Sequence, residues 1–162
     1  MIKLIITGGT LDKHYNELNG ELYFPETHLP AMLKQARCRV EFDMQQLMLK
    51  DSLEMGEADR ELVKQACVAA TIKQIIITHG TDTMVETAKY LATIDDDKTI
   101  VLVGAMIPYT INQSDALFNL GCAVTAVQLL PAGIYITMNG KVFHWDKVSK
   151  DKQAGEFRYS PQ

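Results

Sequence analysis

"QIIITHGTDTMVETAKYLATI", residues 74–94, contains a strand, a turn and a helix in one breath. Residues 74–78 are a short β-branched run, which reads as a buried strand. The run stops at His79-Gly80, and a helix follows with a capping box from Thr83 to Glu86. Met84, Val85, Ala88, Leu91 and Ala92 give that helix one apolar stripe. The same design opens the chain: residues 3–7, "KLIIT", run into Gly8-Gly9-Thr10. A third apolar strand, residues 99–105, ends at "GAMIP".

Working outward, residues 11–26 read as a long polar and aromatic loop, a length that is usually functional. Residues 27–37 predict a helix with Thr27 as N-cap and Pro30 in its first turn. Residues 39–47 alternate like a strand. Residues 51–70 predict a cap-rich turn and then a helix with Ala58, Leu62, Val63, Ala66 and Ala70 at helical spacing. Residues 113–130 are apolar on nearly all sides, which predicts a covered helix. A strand, the hairpin turn Asn139-Gly140 and a second strand come last. Strands alternating with helices predict an α/β fold: a three-layer, mostly parallel twisted sheet, flavodoxin-like or Rossmann-like, with a C-terminal β-hairpin and right-handed crossovers. Ligands then bind beyond the carboxyl ends of the strands, at the switch point. TGGT, THGTD and GAMIP all fall on that rim.

At 162 residues, 47% hydrophobic and 22% charged, the chain is the size of one globular domain, with no linker and no low-complexity segment. A net charge of −4 provides no basic face, so no nucleic-acid partner is expected. The apolar runs are too short for a membrane span, and the N-terminus lacks a signal-peptide pattern. Cys38, Cys67 and Cys122 have neither disulfide-framework nor zinc spacing, which points to a cytoplasmic location. His14, His28, His79 and His144 lack ligand spacing, so no metal is expected; His79 reads as a loop histidine near the site.

Two chemistries compete for the glycine turns. A phosphate cradle requires GxGxxG or GxxxxGK[ST] spacing, which is absent. A nucleophile requires an exposed hydroxyl at a tight turn, a proton acceptor and backbone N–H donors for an oxyanion. Thr10 and Thr81 suit that role, and a lysine folded back beside Asp82 would complete a Thr-Lys-Asp arrangement. Threonine at a strand end is also a common cap or turn residue, and local features alone leave that reading open.

"TGGTLDKHY" (residues 7–15) and "IIITHGTDTMVETAKYL" (residues 75–91) resemble the two signature motifs of the bacterial-type asparaginase/glutaminase family, and "VLVGAMIPYTINQSDALFNL" (residues 101–120) is similar to the segment that follows them. The resemblance covers nearly the whole chain but only the family's N-terminal catalytic domain. It implies hydrolysis of L-asparagine, with L-glutamine as a further substrate, through an acyl-enzyme and without a cofactor. Thr10 matches the attacking threonine, and Thr81, Asp82 and Lys150 match the triad. Ser52 sits where the family binds the substrate carboxylate, with Asp51 beside it among the substrate-binding residues. Asp82 should hold the ammonium, Gly9 and Gly80 leave room for the ligand, and the Ala105 backbone lines the floor. The tyrosine that acts with Thr10 is expected to be Tyr15, with Tyr23 as the alternative.

The match departs from the family in four places. Leu53 follows Ser52 where many relatives have a polar residue, and Ile107 replaces an arginine in the GAM segment. The approach to Lys150 reads "HWDKVSK", so a solvated surface lysine is the bland reading there. Residues 1–162 are expected to form a single domain without the family's smaller C-terminal one. These departures leave three alternatives: a fragment, an open-site amidohydrolase, and a non-catalytic amino-acid-binding module on the same fold. The amidohydrolase is the expectation, as a homodimer or higher homo-oligomer that associates through apolar helix surface.

Overall fold

The three apolar runs become adjacent parallel strands because nearly every side chain along them is buried, so both faces of the sheet must be covered. The computed structural model describes residues 1–94 and 97–160; residues 161–162, the end of the polar tail, lie outside the described residues. In chain order the elements are β1 (Ile2–Gly8), β2 (His14–Tyr15), β3 (Leu22–Tyr23), α1 (Leu29–Gln35), β4 (Phe42–Lys50), α2 (Glu57–Ala69) and β5 (Gln74–Thr78). They continue with α3 (Met84–Leu91), β6 (Thr99–Val103), α4 (Ala116–Leu129), β7 (Gly133–Met138), β8 (Lys141–His144), β9 (Val148–Asp151) and β10 (Glu156–Tyr159).

The main sheet has the order β4-β1-β5-β6-β7-β8. Every pairing is parallel except β7 with β8. From β1 the chain moves outward to β4 and from β5 it moves the other way, so the switch point lies between β1 and β5. Alternation along the strands builds two cores. Ile2, Leu4 and Ile6 pack with Met32 of α1 and Leu120 of α4 on one face. Ile5, Ile75, Ile77 and Leu102 pack with Val63 of α2 and Met84 of α3 on the other. β9 and β10 form a separate hairpin whose Val148 and Phe157 join this second core.

Several sequence expectations need correction. Residues 11–26 are more than a loop: they contain a one-turn 3-10 helix, Thr10–Asp12, and the small β2–β3 hairpin. α1 begins after His28, and Thr27 serves it only by accepting from the Leu29 amide at 3.3 Å. β4 lies about three residues later than the alternation suggested. In α2 Val63, Ala66 and Ala70 pack inward as expected and Cys67 joins them, but Leu62 is 51% exposed. The Thr83 capping box does not form, because the Thr83 hydroxyl donates to the Ser52 carbonyl at 2.8 Å. α4 is not covered all round: Phe118 and Leu129 are 60% and 78% exposed.

The crossovers do not share one hand either. β5 to β6 and β6 to β7 step in the same direction, yet α3 lies on one face and α4 on the other. The β6–α4–β7 crossover is therefore opposite in hand to the others. The long segment between β6 and α4 makes this possible by passing over the rim to the α1 side. There the Tyr109 amide donates to the Leu11 carbonyl at 3.3 Å, and the Tyr109 hydroxyl donates to Gln35.

At the switch point the backbones of the first two turns touch. A Cβ built on Gly9 would lie 2.3 Å from the Gly80 nitrogen, and Gly9 has φ 81° and ψ −179°, a region only glycine occupies readily. Gly9→Ala should lower the unfolding free energy by about 3 kcal/mol or more, strain and clash together. Gly121→Ala, on the open side of α4 with nothing within 4 Å, should raise it by roughly 0.5–1 kcal/mol. Urea denaturation of both variants checks this contrast.

Candidate active site

The first turn leaves β1 through Gly8 and Gly9, both at positive φ, and the Gly9 amide donates to the Lys50 carbonyl at 3.0 Å. This sharp exit sets Thr10 at the start of the 3-10 turn, half-buried on the rim. Asp12, two residues on, is fully buried. Its Oδ1 accepts from the His28 amide at 2.8 Å and from the Thr27 hydroxyl at 3.0 Å, while its Oδ2 has no hydrogen-bond partner. Burial raises the Asp12 carboxyl above the ordinary carboxylate range against the pull of those donors. The carboxyl thus ties the Thr10 turn to the start of α1.

The second turn follows β5. Thr81 is 5% exposed, and its hydroxyl accepts from Lys150 Nζ at 2.8 Å. The same ammonium donates to Asp82 Oδ1 at 2.7 Å. Lys150 arrives on β9 from 69 residues away, anchored by Val148 and by its cross-strand neighbour Phe157. The lysine side chain is nearly buried, whereas that of Asp82 is partly open to solvent. The surface-lysine reading of Lys150 therefore does not hold.

The third turn carries Asp51 and Ser52. Ser52 is buried against Gly80, where a Cβ would meet Ser52 Oγ at 2.6 Å. Its Oγ accepts from the Thr83 amide at 3.3 Å, which ties the start of α3 to this turn. The Asp51 carboxylate accepts from the Leu53 amide and pairs with Lys13. Burial pushes the Asp51 carboxyl up, but the Lys13 and Leu53 donors outweigh it and hold it low. The fourth turn runs from Gly104 to Asp115. The Ala105 side chain lies in the core, so only its backbone can line a floor. Asp115 fixes this turn by accepting from the Met106 and Ile107 amides at 3.0 Å and from Asn119 at 2.8 Å.

The two tyrosines sit on the β2–β3 hairpin, where His14 pairs with Tyr23 and Tyr15 with Leu22. Neighbouring positions face opposite ways, so Tyr15 and Tyr23 lie on opposite faces of the hairpin. Tyr15 leans toward the hairpin's own Gly20. Tyr23 packs edge-on to His14, whose ring lies 6.0 Å from His28, the residue that holds Asp12. They are 52% and 44% exposed, respectively.

The turns read onto one rim, with Gly9, Thr10, Gly80, Thr81, Asp82 and Ala105, lie together in the structure, and Asp51, Ser52 and Lys150, assigned through the resemblance, join them there. Sequence reading missed Asp12, Lys13, Arg60, Thr87 and Asp115. Arg60 and Thr87 carried a readable signal, since each is a polar residue in register with the inward stripe of its helix, Val63 and Cys67 in α2, Met84 and Leu91 in α3. His79 does lie on the loop after β5, next to the site, but it is fully buried there rather than exposed. Among the described residues, no group of three or more His, Cys, Asp or Glu side chains is placed to hold a metal ion.

Residues 1–155 match the family model for the asparaginase N-terminal domain. The chain belongs to the asparaginase family. A glutaminase-asparaginase from Acinetobacter glutaminasificans is 37% identical over 105 residues, 62% of this chain and 30% of that protein. The structure of the thermostable L-asparaginase from Thermococcus kodakarensis superposes with a TM-score of 0.85 at 29% identity, covering 98% of this chain and 51% of the other. A probable cytoplasmic L-asparaginase from Campylobacter jejuni superposes with a TM-score of 0.79 at 33% identity, covering 92% and 49%. The chain thus spans about half the length of these solved relatives, and the match to the curated one takes in less than a third of it.

His79 provides a pH test of this architecture. Burial lowers its pKa from 6.5 to about 4, so the folded chain holds it neutral. The unfolded chain takes up the proton near pH 6.5, so this residue's contribution to stability is intact above that pH and is lost as pH falls toward 4. The loss is roughly 3 kcal/mol. Asp12, with its raised carboxyl, acts in the opposite direction, so the wild type must be compared with His79→Gln, which should lack this slope. Urea denaturation from pH 7 to 4 measures the difference.

Proposed function

We propose that this chain hydrolyses L-asparagine to L-aspartate and ammonia, with L-glutamine as a second substrate, through a covalent threonine ester. The observation that carries the reading is the Lys150 ammonium, delivered by a separate hairpin onto both Thr81 and Asp82 beside the Thr10 turn. A lysine buried at that point is costly unless both partners are used, and a proton-handling role gives a reason to use them. The names of the relatives support the same chemistry.

In this reading Thr10 Oγ attacks the side-chain amide carbon and passes its proton to a neighbouring acceptor. Backbone N–H groups of the glycine turns stabilise the oxyanion. The C–N bond breaks, and ammonia leaves with a proton. Water then attacks the ester, releasing aspartate and restoring the Thr10 hydroxyl. Ser52 and Asp82 bind the carboxylate and ammonium of the substrate, with Gly9, Gly80 and the Ala105 backbone leaving space for it. Asp51 acts at one remove, by holding the Ser52 turn and Lys13. Between the tyrosines, Tyr23 is the better supported partner of Thr10, because its face of the hairpin connects through His14 and His28 to the Thr10 turn.

We further propose that residues 1–162 fold as one domain and work in the cytoplasm, a location supported by three separate free thiols and by the Campylobacter relative. No helix among the described residues is long and apolar enough to cross a membrane. The exposed apolar side of α4 supports self-association.

Purified protein with millimolar asparagine should release ammonia. Thr10→Ala should reduce the rate by about 10³-fold or more and Lys150→Met by about 10²–10³-fold. Tyr23→Phe should cost more in kcat than Tyr15→Phe. Release that Thr10→Ala leaves untouched overturns the mechanism.

A further inference from the structure

His79 is a buried titratable group that the mechanism above does not use, and its surroundings are unusually complete. The Arg60 Nε–H donates to Thr87 Oγ1 at 3.1 Å. Thr87 Oγ1 lies 2.8 Å from His79 Nε2, and His79 Nδ1 lies 2.8 Å from the Gly80 carbonyl oxygen. A carbonyl can only accept, so Nδ1 carries the proton; Nε2 of the neutral ring then accepts from the threonine hydroxyl. One tautomer satisfies every link, and the chain of donors runs in one direction from a guanidinium to one peptide. Arg60 is itself held at its start by donating from Nη1 to the Met55 carbonyl at 3.0 Å.

The end point of this chain is informative. The peptide whose carbonyl His79 holds is the one joining Gly80 to Thr81, so its other polar atom is the Thr81 N–H. That amide belongs to the residue whose hydroxyl receives Lys150. A carbonyl that accepts a strong hydrogen bond makes the N–H of the same peptide a better donor, and bonds in series reinforce one another. Thr87 and His79 are both fully buried, and apolar residues of similar shape would fill that space without the desolvation cost of polar ones.

We propose that Arg60, Thr87 and His79 form a positioning relay that fixes and polarises the Gly80–Thr81 peptide for the developing charge of the reaction. The proposal rests on the amidohydrolase reading above. The relay touches no substrate, so its loss should appear in kcat rather than in KM.

Thr87→Val keeps the shape and cuts the relay, whereas Thr87→Ser keeps the hydroxyl. With asparagine as substrate, Thr87→Val should lower kcat about tenfold with KM within about twofold, and Thr87→Ser should stay within about twofold of the wild type. Arg60→Met should lower kcat on its own by about threefold yet add nothing in the Thr87→Val background, because the relay is already cut. Thermal melts establish that each variant is folded at the assay temperature; should Thr87→Val not fold, Arg60→Met against Arg60→Lys carries the same comparison. Thr87→Val with wild-type kcat, a loss confined to KM, or Arg60→Met and Thr87→Val effects that multiply would overturn the relay while leaving the hydrolysis intact. A folded wild type that releases no ammonia would overturn the function and the relay together.

Discussion

The contact on which the site depends is one between backbones, at the point where β1 and β5 end side by side. Gly9 meets Gly80, and Gly80 meets Ser52, each at a separation that leaves no room for a Cβ. Three turns that would otherwise be held apart by side chains close into one continuous peptide surface. Backbone groups and short hydroxyls are what the three turns bring together at that point. Larger residues at either glycine would not merely crowd a ligand; they would separate β1 from β5 at the rim and undo the switch point itself.

Polar side chains behind the rim keep that surface in shape, and they act mostly on backbone. Asp115 receives the amides of the fourth turn, Asp12 receives the His28 amide, Asp51 receives the Leu53 amide, and His79 donates to the Gly80 carbonyl. Each is a buried or half-buried polar group whose desolvation is offset by a partner of fixed geometry. The reversed crossover belongs to the same design. By carrying the β6–α4 segment to the α1 side, it sets Tyr109 and Thr110 against the first turn, where Thr110 Oγ1 reaches the Lys13 carbonyl. A crossover of the usual hand would leave that side of the Thr10 turn open.

Most of the layer structure was legible in the sequence, because buried parallel strands leave an unmistakable mark: uninterrupted Ile, Val and Leu ending in glycine. The errors have common physical causes. Thr83 and Thr27 carry capping residues' chemistry, but a hydroxyl also bonds to the tertiary partner nearest it: Thr83 donates to the Ser52 carbonyl without capping, and Thr27 donates to Asp12 while accepting from the Leu29 amide. In α2 Val63, Ala66 and Ala70 face the core as the period suggested, whereas Ala58 and Leu62 are apolar yet face outward, and only packing selects the edge of the face. The hand of a crossover has no local signature at all. For the site, single residues at strand ends were readable, whereas Arg60 and Thr87 looked like interruptions of apolar stripes until their partners were seen.

Lys150 was assigned through the resemblance alone, and the structure supplies the physical reason for its place. In "HWDKVSKDK" it is one lysine among several, and spacing in the chain says nothing of Thr81. Alternation along β9 supplies the missing step: Val148 is buried, Ser149 faces out, and Lys150 returns to the inward side opposite Phe157. An inward lysine on a two-stranded hairpin must either snorkel to water or find acceptors. The hairpin packs against the start of α3, where Thr81 and Asp82 are the acceptors within reach, and both are taken. The hairpin's aromatic residues then have a specific purpose. Phe143 of β8 packs at a tilt against both Phe157 and Tyr159 of β10, and the Tyr159 hydroxyl donates to the Val142 carbonyl, so the ammonium is held by core packing rather than by its own flexible stem.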